Sequence, residues 1–405
     1  MKILFVTWDG PQVTYLESLF IPIFSKLADE GIFVRVLQFT WGRKQRVDAI
    51  SKLCEEANIG YQAVLVYRNP RSLGALLSTM AGVFHIRKAV RRYHIDFLLA
   101  RSILPAFSSM LALTNSNCGL IFDADGLPLD ERVDFSEESQ SGFVYRFLRD
   151  IEAEAVRRAE LVLTRTHKAA DILLSRAGAG TSSDKFHVVG NGRDQDLFKP
   201  ANPSQLVKLR FALNLAINSP LIVYTGSLGA QYCIDEMLIL FGMVFEQRPD
   251  AQFLILTGSP EILSPFLRRH PKILKVVRAV TVRSSDIPSY LRCSDVGLAL
   301  RKPTFSMQAV APIKLGEYLL CGVPVVATRG VGNTEVISND AGILLQSVDS
   351  VQLKNAADWI VNSVLTDREA YRKKSRVIGL KSFSLESTAA NYYQAFQSLS
   401  TSLKS

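Results

Sequence analysis

The chain has 405 residues, 48% hydrophobic and 21% charged, with a formal net charge of +9. That length is too great for one core and suits two domains of about 200 residues each, and the composition excludes a disordered or fibrous chain. The positive charge suits phosphorylated substrates or an anionic membrane surface. Nucleic acid is the least suited partner, because no basic arm, zinc-ligand spacing or aromatic–basic ribonucleoprotein motif is present. The five cysteines are scattered without a C-x-x-C pair, as expected of buried free thiols in a reducing cytosol. Met1-Lys2-Ile3-Leu4-Phe5-Val6 already reads as a strand, so no leader is expected there, and a cytoplasmic protein follows. The longest uncharged stretch, Ser102 to Phe122, is interrupted by Pro105, Ser108, Ser109 and Thr114 and reads as helix, loop and strand, not as a membrane span.

In chain order, the first half alternates apolar strands with helices. Strands are expected at Lys2–Trp8, Phe33–Phe39, Ala63–Tyr67, Asp96–Ala100, Gly119–Asp123 and Leu161–Thr164. Helices are expected between them at Tyr15–Glu30, Gln45–Ala57, Ser72–Tyr93, Leu104–Thr114 and Ser141–Arg158. Val188-Val189-Gly190-Asn191-Gly192 closes the half with a strand and a turn. Lys199-Pro200-Ala201-Asn202-Pro203-Ser204-Gln205 breaks both periodicities and is the linker candidate. The pattern then restarts with strand Leu221–Thr225, helix Cys233–Gln247 and strand Gln252–Thr257, followed by strands Lys275–Val277, Val296–Ala299, Pro324–Ala327 and Gly342–Leu345. A final helix runs from Leu385 to about Leu399. Strands separated by helices predict α/β architecture, with two doubly wound, Rossmann-like domains: 1–200, 201–383, and a terminal helix over 384–405.

The most informative stretch is Pro312 to Thr328, a short helix ending at Cys321-Gly322 and followed at once by a β-branched strand. Beyond it lies the glycine-punctuated loop Arg329-Gly330-Val331-Gly332-Asn333-Thr334-Glu335. In an open parallel sheet, helix starts and loops at strand carboxyl ends are where ligands bind, backbone N–H groups and the helix dipole favouring phosphate. Two further loops at strand ends, Thr225-Gly226-Ser227-Leu228-Gly229 and Thr257-Gly258-Ser259-Pro260, join it, because glycine lets the backbone approach a phosphate. The candidate donor-binding set is Gly226, Ser227, Leu228, Gly258, Lys302, Ser306, Ile313, Lys314 and Glu317. A lysine in a helix's first turn opposes the macrodipole, so an anionic ligand would explain Lys314.

Val188-Val189-Gly190-Asn191-Gly192-Arg193-Asp194, with Phe198-Lys199-Pro200, resembles the interdomain signature of retaining glycosyltransferases of family 4. The Pro312–Thr328 stretch, with the loop to Glu335, resembles that family's glutamate-helix–strand segment, and Ser289-Tyr290-Leu291-Arg292-Cys293-Ser294-Asp295-Val296 resembles a third segment. More narrowly, Ile121 to Asp134 and Gly226 to Tyr232 look like a branch that assembles bacterial surface polysaccharide. The resemblance implies the GT-B fold of two Rossmann-like domains facing each other across a cleft. It further implies a nucleotide-sugar donor on the second domain, a glycan or lipid-linked acceptor on the first, and no essential metal or other cofactor. The last helix would return to the first domain, and Glu317 would take the ribose hydroxyls.

The chain departs from the family's pattern in three places. Typical members carry two glutamates eight positions apart; here the second is Glu317 and the first position is Ala309. The Arg and Lys that usually hold the diphosphate correspond to Ser227 and Tyr232, so Lys314 and Lys302 become the candidate phosphate cations. Asp123 stands where the family usually has a histidine, and none of the five histidines sits in a motif position. Asp123-Ala124-Asp125 and Asp194-Gln195-Asp196 both spell a metal-binding DxD, a pattern short enough to arise by chance. Asp123 and Asp125 are read, with Glu317, as catalytic carboxylates that orient an acceptor hydroxyl, accept its proton or favour oxocarbenium charge. Asp9 and Gly10 after the first strand, with Arg101, Glu131 and Arg132, are the candidate acceptor contacts, an arginine there suiting an acceptor phosphate.

The helix through Phe84-His85-Ile86-Arg87-Lys88-Ala89-Val90-Arg91-Arg92-Tyr93 is basic and amphipathic, which fits either peripheral contact with an anionic leaflet or a solvated helix face. The function expected is retaining transfer of a sugar from a nucleotide sugar in bacterial polysaccharide synthesis. The rivals are a non-catalytic nucleotide-sugar-binding subunit and a nucleotide-sugar epimerase on the same fold.

Overall fold

The computed structural model describes residues 1–402 except Gln12, 67–70, Asn115, 137–138 and 338–339, without the side chains of 71–73, 75–76 and 400–402. Gln12 of the first loop and Tyr67 at the end of the expected third strand therefore lie outside the described residues.

Unit 1 comprises residues 1–190 and 388–405. Its strands are β1 (Lys2–Asp9), β2 (Phe33–Thr40), β3 (Gly60–Leu65), β4 (Phe97–Arg101), β5 (Gly119–Asp123), β6 (Leu161–Thr164) and β7 (Phe186–Val188). All pair in parallel, in the order β3-β2-β1-β4-β5-β6-β7. Helices cover both faces of such a sheet, which is why β4, β5 and β6 read as unbroken apolar runs and not as alternating patterns. Phe5, Leu98, Leu99, Phe122 and Val162 are all fully buried.

Unit 2, Asn191–Ser387, holds β8 (Leu221–Thr225), β9 (Gln252–Leu256), β10 (Val277–Val280), β11 (Val296–Ala299), β12 (Val325–Thr328) and β13 (Gly342–Leu345). Its sheet is likewise all parallel, in the order β10-β9-β8-β11-β12-β13. The winding reverses between β1 and β4 in the first sheet and between β8 and β11 in the second. Ligands bind beyond the strand carboxyl ends at such reversals.

Several expectations need correction. The third strand of unit 2's outer edge is Val277–Val280, later than Lys275–Val277, because Val277 pairs with Phe253 while a turn closed by Val276 N–H on Ile273 C=O precedes it. The expected helix Tyr15–Glu30 opens as a π-turn, Leu16–Phe20, and continues as Ile21–Asp29. Ahead of the Phe143–Arg158 helix stands a separate one, Pro128–Phe135, with its proline in the first turn. The helix His167–Ala177 was missed although Thr166 caps it, its side chain accepting from Ala169 N–H.

The units divide at Gly190, ahead of the expected linker. Residues 191–200 are held inside unit 2 by Arg193 N–H on Phe383 C=O (2.9 Å), Arg376 Nη1 on Phe198 C=O (2.7 Å) and Arg292 Nη2 on Leu197 C=O (2.6 Å). Phe198 is 2% exposed in the core of that unit. The Pro203–Ala212 helix, with a capping box between Asn202 and Gln205, occupies the remainder of the proline-marked segment. The last helix, Leu385–Ser402, buries Tyr392, Ala395 and Phe396, and belongs to unit 1 from Thr388 onward.

Candidate functional site

In unit 2 the chain leaves β8 through Gly226 at φ +128°, a conformation open to glycine. A Cβ there would stand 3.0 Å from Lys314 Nζ, so the small residue also makes room for the lysine. Lys314 lies in the first turn of the helix Ile313–Leu320 and is 8% exposed. Tyr318 on the same helix ties it to the sheet, its OH accepting from Thr225 N–H at 2.8 Å. Among the described residues Lys314 Nζ has no hydrogen-bond partner. It sits instead 3.9 Å from the Tyr224 ring centroid and 4.4 Å from that of Tyr232, two rings packed edge to face.

Arg301, just past β11, lies over the Tyr232 ring at 4.8 Å and donates from Nη2 to its OH at 3.3 Å. Two cations thus converge on Tyr232. Aromatic faces compensate part of the cost of burying an ammonium, yet removal from water, then Arg301, pull the Lys314 proton affinity well below the ordinary lysine value; Glu317 opposes them. A buried, unpaired cation at a helix N-terminus is a receptor for an anion.

One turn on, Glu317 is 7% exposed and pairs through Oε1 with Arg193 Nη2 at 2.9 Å. Burial raises its proton affinity, and Arg193 is the main group lowering it. The other expected donor residues are less central. Gly258 is exposed beyond β9, and Lys302 is exposed with its backbone N–H on Gln231 C=O at 3.0 Å. Ser227 is exposed, its carbonyl accepting from Tyr224 OH at 2.5 Å, while Leu228 packs into the hydrophobic core. Ile313 is half-buried at the helix start, and Ser306 is buried in the turn Ser306–Ala309. Gly332, at φ +58°, lets the following loop fold against Val310, whose carbonyl a Cβ would overlap at 1.7 Å.

In unit 1 the strand ends gather a second charged cluster. Arg101 at the end of β4 is opposite Asp123 at the end of β5 in the sheet register. Its Nη1 meets Asp123 Oδ2 at 3.2 Å and its Nη2 meets Asp125 Oδ2 at 2.6 Å. Arg165, directly after β6, reaches Asp123 Oδ1 at 2.8 Å. Asp123 is fully buried; the Asp125 side chain is 34% exposed. Asp125 (φ +49°) and Ser102 (φ +70°) occupy left-handed conformations without being glycine. Each such residue costs on the order of 1–3 kcal/mol and persists where its surroundings over-determine it.

Burial raises the proton affinity of Asp125, with Arg101 opposing. Arg165 Nε and Nη1 and the Tyr392 hydroxyl are buried without hydrogen-bond partners among the described residues, so the cluster retains donors. Asp9 is buried, Oδ2 accepting from Thr7 Oγ1 (2.8 Å) and Gln38 Nε2 (3.2 Å), and Gly10 is half-buried with Trp41 closing over it. Glu131 is half-buried and Arg132 exposed on the Pro128–Phe135 helix. Arg165, Arg193, Arg301 and Tyr392 were missed as site residues. The strand-end rule that selected Arg101 would have found Arg165 and Arg301; no sequence signal pairs Arg193 with Glu317 or brings Tyr392 to β6.

Comparison with known proteins bears on the family and the fold. The family described as Glycosyltransferase Family 4 matches residues 23–197, and Glycosyl transferases group 1 matches residues 219–363. Chitobiosyldiphosphodolichol beta-mannosyltransferase of Candida albicans is 30% identical over 165 residues, 38% of this chain and 34% of that protein. D-inositol 3-phosphate glycosyltransferase of Xylanimonas cellulosilytica is 26% identical over 209 residues, 49% of this chain and 48% of that protein. The chain thus spans a third to a half of the length of these two curated relatives. Among solved structures, Anabaena HepE in complex with UDP and glucose superposes with a TM-score of 0.71 at 19% identity, over 98% of this chain and 100% of that one, which shows a shared GT-B fold. With its two halves matched in succession by these two family descriptions on two parallel-sheet domains, the chain belongs to the family 4 type of glycosyltransferases.

Proposed function

We propose that this protein transfers a sugar from a nucleoside-diphosphate sugar to a glycan or lipid-linked acceptor, with retention of anomeric configuration, in bacterial polysaccharide synthesis. The observation that carries the reading is Lys314 Nζ, buried and unpartnered among the described residues, in a notch of two tyrosine rings at a helix start beside Arg301. A diphosphate supplies the charge this notch lacks, and Lys314 and Arg301 stabilise the departing diphosphate as negative charge develops on it. Their charges act in place of the arginine and lysine that the family resemblance would put at Ser227 and Tyr232. Glu317 accepts from the donor's ribose hydroxyls.

On unit 1, Asp125 is the better candidate for the acceptor's proton. Asp123 is fully buried between the guanidinium groups of Arg101 and Arg165, whereas Asp125 is partly exposed and has a raised proton affinity. Asp123, Arg101 and Arg165 hold it in place. The charge on the phosphates is met by protein cations, so no essential metal is proposed.

Acceptor delivery from a membrane fits the surface of unit 1. The helix Arg71–Tyr93 exposes Leu77, Met80 and Phe84 at helical spacing and continues into exposed Arg87, Lys88, Arg91 and Arg92. The Phe143–Arg158 helix opens with Phe143 78% exposed and Val144 62% exposed. Apolar side chains flanked by basic ones suit peripheral binding to an anionic leaflet from the cytoplasmic side; no helix among the described residues is long and apolar enough to cross a membrane.

The test is nucleotide release from a panel of nucleotide sugars, with and without lipid-linked acceptors, starting with UDP-glucose. Turnover that depends on acceptor supports the reading. Tight nucleotide binding with no turnover on any donor supports a binding subunit instead, and interconversion of free nucleotide sugars supports an epimerase.

A further inference from the structure

Arg193 has no role in the reading so far, yet it is the group that meets Glu317. Both side chains are largely shielded, 13% and 10% exposed, and the guanidinium also lies over the Phe198 ring at 5.0 Å. The loop carrying it is fixed at three points. Asn191 Nδ2 donates to Ala311 C=O at 3.0 Å, just before the Lys314 helix; Arg193 N–H donates to Phe383 C=O at 2.9 Å; and Leu385 N–H donates to Arg193 C=O at 2.9 Å. The guanidinium therefore comes from a braced backbone and meets the carboxylate at Oε1. Stability does not explain such a pair, because well-packed apolar side chains in place of a buried ion pair are commonly as stable or more so.

We propose that Arg193 is a positioning residue for ribose recognition. It holds Glu317 ionised and aimed, so that the carboxylate accepts hydrogen bonds from the donor's ribose hydroxyls. The inference rests on the donor placement proposed above. Without Arg193, burial acts on Glu317 with only Lys314 to oppose it, and a protonated, loosely held carboxyl no longer discriminates ribose from deoxyribose. Diphosphate contacts at Lys314 are untouched by the change.

Calorimetric titration with UDP, GDP and their 2′-deoxy counterparts tests this in the whole protein. The wild-type chain should prefer the ribo form of whichever nucleotide binds by about tenfold to a hundredfold, the worth of a hydrogen bond to a charged group. Arg193→Met should bring ribo affinity down to the deoxy level near neutral pH, leave deoxy affinity unchanged, and regain the preference as pH rises and Glu317 ionises. Arg193→Lys keeps a cation without the fork and should keep part of the preference without that alkaline dependence. A full ribose preference in Arg193→Met at neutral pH overturns the proposal, as does an Arg193→Lys protein that folds and binds but shows no preference at any pH. A wild-type protein that binds nucleotide without preferring ribose overturns the placement of ribose on Glu317, and the proposal with it.

Discussion

Two buried charged clusters stand at corresponding places in the two sheets, and they are built in opposite ways. In unit 1, Arg101 and Arg165 bracket Asp123 and Arg101 continues to Asp125, so each carboxylate has a guanidinium. In unit 2, Glu317 has Arg193, but Lys314, without a hydrogen-bond partner among the described residues, faces two aromatic rings and a repelling Arg301, with Glu317 acting only at a distance. An ion-pair network fixes geometry, and losing one member strands its partners. An unpaired buried ammonium is a cost to the empty protein that a ligand can remove. The first cluster is built to hold a side chain in place; the second is built to be completed.

Four measurements press on that contrast. Asp123→Ala strands two buried guanidinium groups and should lower the unfolding free energy by about 3–5 kcal/mol in denaturant titration; a loss under about 1 kcal/mol would mean the cluster is not a structural network. Asp125→Asn should leave the melting temperature and nucleotide affinity near wild type while turnover falls on the order of a hundredfold or more. Unchanged turnover would remove Asp125 from the reaction. Lys314→Met should weaken nucleoside-diphosphate binding by about tenfold to a hundredfold, a charged hydrogen bond's worth, while the empty protein becomes no less stable. A destabilised variant with normal affinity would invert the comparison.

The smallest effect is a proton count. The depressed folded-state affinity of Lys314 means that the unfolded chain holds the proton over a pH range in which the empty folded protein does not. Stability from this group therefore rises with pH across the window ending near the ordinary lysine value of 10.5, and falls toward the acid side. An anion reverses the depression, so nucleotide binding inside that window should take up a fraction of a proton, read by calorimetry in buffers of different ionisation heat. Lys314→Met should abolish the uptake.

Particular residues show what could be read in advance. The strands β5, β6, β8 and β11 were legible to the residue, because parallel strands buried on both faces are short, unbroken apolar runs. The edge strand β10 was displaced, since an edge has fewer apolar requirements and its bounds depend on pairing with β9. Lys314 and Glu317 were visible as polar residues on an otherwise apolar helix. Arg301 was obscured by the adjacent Lys302, which is exposed. The linker was placed late because prolines at 200 and 203 mark a local break, whereas the unit boundary is set by the long-range bonds of Arg193, Arg292 and Arg376.

The sequence by itself determined two α/β halves and the strand ends where polar residues collect. Periodicity and motif spacing are local properties, and these features are local. Only the tertiary structure decided which charges are paired. Lys314 and Tyr224 are 90 residues apart, Arg193 and Glu317 are 124 apart, and Asp123 and Arg165 are 42 apart. Their meetings depend on strand order and on how deeply each helix start is buried. Whether a cation is satisfied or waiting for an anion is a property of that packing.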